Sequence, residues 1–285
     1  MSKEIFNYLD DYEFDYKDKL NLPKNVLFGL EIEYENLKKI DFSLPEFWIN
    51  KQENTITDGG EINSNPLLDT KDTWNKLKIV LESLEKDGAK MYDAAAGHIH
   101  FDSGILNRNF DTWLKLIKAW IMYEPIIYKF SSGEKEKLRS FYQKYAFYLR
   151  YILLNNLHDF NSIYDCKKII DKLNNICSRC YGLCLSNVDR NFNKNTIEVR
   201  CPNGSLKPAI WQNNVNFFAN FLLSINQKEI DEELFLYRQK KYYLETRYGK
   251  DYLKEDIDVA LELCDFVFLD DENKIKFLKQ YTKRF

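Results

Sequence analysis

FGLEIEYE, residues 28–35, alternates strictly: Leu30, Ile32 and Tyr34 fall on one side, and Glu31, Glu33 and Glu35 on the other. Side chains of a β-strand point alternately to its two faces, so a period of two predicts a strand from about residue 25 with one apolar and one acidic face. An apolar face must be buried against other elements. The rest of the chain supplies them.

Downstream, TITDGGEINS (55–64) reads as a second strand, entered through Gly59-Gly60 and stopped by Pro66. Residues 72–87 carry Trp74, Leu77, Leu81 and Leu84 at helical spacing, with Gly88 where a C-terminal cap belongs. Strands are expected near Met91 and at GHIHFD (97–102), where Ile99 and Phe101 oppose His98, His100 and Asp102. Helices are expected over 109–130, 134–157 and 162–179. YGLCLSN (181–187) and NTIEVRC (195–201) read as adjacent strands, and Pro208 opens a helix with Trp211, Val215, Phe218 and Leu222 on its packing face. Strands early and late, with runs of helices between, predict an α+β fold. We divide the chain into a lead-in at 1–24, one catalytic domain at 25–226, and a charged helical tail at 227–285 packed on that domain.

Composition narrows the function. The 285 residues are 45% hydrophobic and 15% aromatic, enough for a sizeable core. With 41 basic against 44 acidic residues there is no broad positive field for a phosphate backbone, so nucleic acid is not an expected partner. No stretch approaches the length of a membrane span, and the acidic start does not read as a secretory signal. Cytoplasmic placement is therefore expected, with its cysteines reduced. Cys177, Cys180 and Cys184 are close enough in sequence to suggest a metal site, but a second ligand pair is missing unless Cys201 approaches in space. Packed thiols are the expected reading.

The chemistry-bearing residues concentrate in four segments. Glu31 and Glu33 share a strand face, Glu61 lies on the next strand, His98 and His100 share a third, and Glu198 and Arg200 a fourth. Each pattern alone is ordinary: Glu-x-Glu is usually a solvated strand face, and a lone His-x-His is more often packing than ligand. Their coincidence is not ordinary. Carboxylates facing one another on neighbouring strands repel unless cations offset them, and a bound divalent metal is the simplest cation.

Taken in order, FGLEIEYE, DGGEINSNPLL (58–68), GHIHFD and NTIEVRCPNGSL (195–206) resemble the amidoligase family, which groups with the glutamine synthetase-like and glutamate–cysteine ligase-like carboxylate–amine ligases. The resemblance covers residues 25–225. It implies a curved antiparallel half-barrel with helices on its convex face. It also implies ATP-dependent amide or isopeptide formation through an acyl phosphate, with peptide modification among the family's chemistries. By the same resemblance Glu31, Glu33, Glu61, His98 and Glu198 are metal ligands for Mg²⁺ or Mn²⁺. His98, Glu198 and Arg200 are catalytic, with Arg200 clamping the transferred phosphoryl group. His100, Arg200 and Arg139 contact the nucleotide, and Asn187 lines the substrate strand. The expected partners are a small-molecule or peptide carboxylate and an amine. One departure stands out. The family shows an Asp shortly after a Trp ahead of the DGGE-like motif, whereas here Glu53 follows Trp48, so the acid or amine pocket is expected to differ. Two other functions suit parts of the pattern: a metal-dependent hydrolase or phosphatase, and a non-catalytic binding protein on the same scaffold.

Overall fold

A computed structural model describes residues 3–106, 110–140, 142–149, 180–188, 195–247 and 255–285. Its centre is an open six-stranded sheet: β1 (Phe28–Tyr34), β2 (Trp48–Lys51), β3 (Gly60–Ser64), β4 (Gly97–Asp102), β5 (Leu183–Cys184) and β6 (Thr196–Val199), in the order β2-β3-β1-β4-β6-β5. Every neighbouring pair is antiparallel. Among the described residues the α-helices are α1 (Lys71–Lys86), α2 (Phe110–Ser131), the single turn α3 (Tyr142–Tyr145), α4 (Pro208–Ile225), α5 (Glu232–Arg247), α6 (Ile257–Val267) and α7 (Asp271–Thr282). The expected α+β class is present, with a sheet that does not close into a barrel.

The alternation of β1 becomes the alternation of the whole sheet. Register pairs Ile32 with Ile62, Leu30 with Ile99, and Phe28 with Phe101. Phe101 and Ile99 continue into Ile197 and Val199. All of these are 2% exposed or less and form one apolar face. Helices cover it. Trp74 of α1 stacks on Phe28 at 5.5 Å, and α4 lies against β4. That close approach depends on Gly97, where an added Cβ would come within 2.9 Å of the Trp211 ring. Further out, Phe130 of α2 stacks on Phe277 of α7 at 4.6 Å. The 227–285 region supplies α5, α6 and α7, which pack on α2 and α4. No described helix is long and apolar enough to cross a membrane.

Several local expectations change. The first long helix runs Lys71–Lys86, capped by Thr70, whose side chain accepts from Thr73 N; Gly88 follows it at φ +91°, as the cap reading requires. The second strand begins only at Gly60, because 53–59 turns back on itself. β2 was not anticipated: in WINK only Trp48 is buried, and four residues with two adjacent apolar positions show no clear period. No strand forms at Met91; Lys90 makes a single bridge to Glu35 instead. Residues 134–140 do not extend a helix, since their donors have tertiary partners: Arg139 N gives its hydrogen bond to Asn203 Oδ1 and Ser140 N to Asp93 O. The remainder of the helices expected over 134–157 and 162–179 lies outside the described residues beyond 149, as does Cys177.

Ile197 is fully buried on the apolar face opposite Phe101. Ile197→Asp should destabilise the fold by more than about 4 kcal/mol, because a charge would be buried without a partner. A soluble variant with a cooperative melt near that of the parent would show that the faces are assigned in reverse.

Candidate active site

The second face of the sheet is built from the residues between the buried ones. Along β1 these are Gly29, Glu31 and Glu33. Register then sets their neighbours: Glu33 faces Glu61, Glu31 stands between Asn63 and His98, and His100 faces Glu198. At the sheet edge Lys51 lies opposite Glu61. Strands β3, β4 and β6 thus place four carboxylate or imidazole partners, Glu61, His98, His100 and Glu198, on the face that carries Glu31 and Glu33.

Glu31 is the hub. Its Oε2 lies 3.1 Å from His98 Nδ1 and its Oε1 lies 3.1 Å from His100 Nε2. Burial opposes ionisation of this carboxyl, but hydrogen bonds from His100 and His98 outweigh it and hold its pKa far below the usual carboxylate range. His100 Nδ1 lies 3.2 Å from Thr196 Oγ1, which orients its ring. Glu33 Oε2 accepts from Ala96 N at 2.7 Å, leaving Oε1 directed at His98 Nε2, 3.8 Å away. That separation is too long for a hydrogen bond, and His98 Nε2 is a buried ring nitrogen with no partner. Glu35 turns aside: its carboxylate accepts from Ala94 N and Ala95 N and so shapes the segment leading into β4.

On β6, Glu198 is ion-paired to Arg200. Burial again works against the Glu198 carboxylate, and the Arg200 charge, followed by His100 and His98, lowers its pKa all the same. For Glu61 the balance goes the other way. Burial, and then the Glu31 charge, push its carboxyl up. Arg139 is 3% exposed, and its guanidinium donates to the carbonyls of Arg200, Cys201 and Pro202 at 2.9, 3.4 and 2.8 Å. Arg200 Nε donates to Tyr145 O at 3.2 Å.

All of Glu31, Glu33, Glu61, His98, His100, Arg139, Glu198 and Arg200 line one cavity of about 420 Å³. Asn187 lines it too, as does Glu53, the residue that marked a departure in the sequence. Three groups of ligand atoms fall within 4.8 Å of one another: Glu31–His100–Glu198, Glu31–Glu61–His98 and Glu33–Glu53–Glu61. Shared Glu31 and Glu61 link them into one continuous cluster. The unpartnered His98 Nε2 and the raised Glu61 carboxyl are both features that a bound divalent cation would resolve, so this donor set fits such an ion. Arg139, expected to contact nucleotide, lines the cavity and donates to three backbone carbonyls.

Sequence reasoning missed Lys51 and Asn63. Lys51 stands on the unanticipated β2, and Asn63 is a neutral residue two places after Glu61 and opposite Glu31; its alternation with Glu61 was the available signal. Among the described residues no cysteine joins a group of metal-ligating atoms. The Cys184 thiol is pushed up to about 11 by burial and by Glu198, and sits by Ser186 Oγ; the Cys201 thiol, pushed up to about 12 by burial, sits by Ser131 Oγ.

Among families of known proteins, residues 49–222 match the model described as "Putative amidoligase enzyme". No curated protein matches the chain. The matched span runs from within β2 to within α4 and includes Glu61, His98, His100, Glu198 and Arg200. β1 precedes that span in sequence, but is paired between β3 and β4 and so contributes Glu31 and Glu33 to the same face. With more than half of its length matched, the chain belongs to the amidoligase family.

Proposed function

We propose that the protein is an ATP-dependent ligase that joins a carboxylate to an amine through an acyl phosphate, using Mg²⁺ or Mn²⁺. Family membership supports a ligase. The observation that carries the finer reading is the linked cluster of Glu31, Glu33, Glu61, His98, His100 and Glu198, with Arg200 beside it in the same cavity. The open antiparallel sheet with helices on one face suits a glutamine synthetase-like half-barrel, and we assign the catalytic unit to 25–226, with 227–285 packed on it, in a cytoplasmic protein.

In this reading a carboxylate oxygen of the acid attacks the γ-phosphorus of ATP, and the bond to the β-phosphate oxygen breaks to release ADP. The amine nitrogen then attacks the acyl carbon, inorganic phosphate leaves, and the nitrogen loses a proton. Divalent ions held by Glu31, Glu33, Glu61, His98 and Glu198 would supply charge neutralisation for phosphate oxygens. The chain's own residues do the rest. Arg200 has a planar, permanently charged fork suited to the transferred phosphoryl group, and Glu198 holds that fork in place through its ion pair. Arg139 fixes the backbone that carries Arg200. His100, braced by Thr196 and Glu31, presents its ring at the same cavity face for the nucleotide phosphates.

The direct test is ADP release by purified protein with ATP, Mg²⁺ and pools of acids and amines. Release should require both co-substrates. Turnover without ATP would favour the hydrolase reading, and retained ATP binding with no turnover the non-catalytic one. Magnesium or manganese should raise the melting temperature, by about 2.7 kcal/mol of stability at roughly 100 times Kd. Glu61→Gln should melt higher than the parent without metal, because a strained carboxylate is removed, and should lose most of the metal increment. Equal metal responses in the two proteins would remove Glu61 from the ligand set. Arg200→Lys should cost about 100-fold or more in kcat, since a point charge cannot reproduce the fork. Arg139→Lys should lower kcat while leaving the KM for ATP near that of the parent; a rise in KM alone would restore the nucleotide-contact role.

A further inference from the structure

An α-helix ends in carbonyls that no later turn can satisfy. At the end of α2 they are completed by side chains from two separate parts of the chain. From α7, Gln280 Nε2 donates to Phe130 O at 3.0 Å. Lys283, which caps the end of α7, donates through Nζ to Lys129 O at 3.0 Å and to Gly133 O at 2.6 Å. From the loop after β6, Asn203 donates through its N–H to Ser131 O at 2.9 Å and through Nδ2 to Ser132 O at 3.2 Å. The five consecutive carbonyls of residues 129–133 are thus shared between α7 and the segment that leaves the sheet.

That segment carries Arg200. Asn203 Oδ1 accepts from Arg139 N at 2.9 Å, and the Arg139 guanidinium donates to the carbonyls of Arg200, Cys201 and Pro202. Cys201 is fully buried, with Sγ 3.2 Å from Ser131 Oγ of α2. The last turn of α2 is therefore a joint, with α7 on one side and the Arg200 segment on the other. The α7 side is firmly seated. Gln280 is fully buried, donates to Asn214 Oδ1 at 2.7 Å as well, and accepts from Asn213 Nδ2 at 2.9 Å. Lys283 has a left-handed backbone, φ +61°, a conformation that favours glycine. A glycine would close α7 with less strain, but only a long side chain with a donor at its tip reaches the end of α2. A cation there also complements the negative end of the helix dipole.

We propose that Lys283 and Gln280 are positioning residues for Arg200, acting through the last turn of α2 to hold the backbone of residues 200–203. This gives a role in the reaction to the helices of 227–285, which lie beyond the span matched by the family model. It rests on the ligase reading, in which Arg200 clamps the transferred phosphoryl group. Without Lys283 the carbonyls of Lys129 and Gly133 lose a donor and the last turn of α2 loosens. Asn203 then loses its fixed acceptors, and with them go the alignment of Arg139 and of the carbonyls it holds.

Two buried thiols in the full chain report on this. Cys201 sits at the joint, and Cys264 is buried in α6, outside it. In Lys283→Met, alkylation by iodoacetamide under native conditions, followed by mass analysis of the peptides, should be about tenfold faster than in the parent at Cys201 and unchanged at Cys264. In the ATP-dependent reaction kcat should fall about tenfold while the KM for ATP stays near that of the parent, because the clamp acts on the group in transfer. Lys283→Arg should restore both readouts. Lys274→Met, which removes a pair between α7 and Asp265 of α6, should change neither. If Lys283→Met fails to fold, Lys283→Gln, which keeps an N–H donor without the charge, takes its place. Equal acceleration at Cys201 and Cys264 overturns the proposal, since the lysine would then serve general stability only. No acceleration at Cys201 overturns it too, as does acceleration at Cys201 with turnover equal to that of the parent. The labelling needs no substrate. A parent without ATP-dependent turnover would count against the ligase reading, and the Cys201 result would still decide whether α7 holds the Arg200 segment.

Discussion

Glu31 hydrogen-bonds His98 and lies 3.1 Å from His100 Nε2, both on the neighbouring strand, and the remainder of the site is arranged around that carboxylate. That contact follows from the pairing of β1 with β4, and β1 is paired on its other edge with β3. A central strand brings its side chains within reach of residues on two neighbours at once, so Glu31 and Glu33 meet Glu61 and Asn63 on one flank and His98 and His100 on the other. Concentrating so many acids in a partly buried space is electrostatically unfavourable in the absence of cations. Two of the results of that crowding are visible: an elevated Glu61 carboxyl and a ring nitrogen of His98 with nothing to bond.

The positive groups divide into two kinds. Arg200 is engaged sideways by Glu198 and by the Tyr145 carbonyl, so its guanidinium is held at the cavity wall. Arg139 sits behind it and satisfies three successive carbonyls after β6, while Asn203 accepts from the Arg139 backbone and donates to Ser132 O and Lys137 O. This is a rigid support built from backbone contacts, of the kind that keeps a charged side chain in one geometry. It also explains why 134–140 leaves helical geometry although its composition permits a helix.

The legible parts of the sequence were those with an unbroken period. The alternations in FGLEIEYE, GHIHFD and NTIEVRC identified which side chains share a face, and the structure gathers Glu31, Glu33, His98, His100, Glu198 and Arg200 in one cavity, while Glu35 and Asp102 fall outside it. What alternation cannot carry is register between strands, so the facing of Glu33 and Glu61, or of His100 and Glu198, was not derivable from spacing. β2 escaped because an edge strand with one buried residue leaves too weak a pattern, and with it went Lys51. Glu53 was noticed only as a mismatch. A turn in which Thr55 N and Oγ1 both bond its carboxylate brings it to the cluster, and no local pattern announced that.

The position of β2 at the rim has an evolutionary reading. Because this strand is hydrogen-bonded on one side only, through β3, it can be lengthened, shortened or exchanged while the paired strands that hold the inner acids keep their register. Lys51 and Glu53 belong to this replaceable margin, whereas Glu31, His98 and Glu198 belong to the interior rows. Divergence in what such proteins select would then accumulate at the margin, leaving the shared chemistry of the interior untouched.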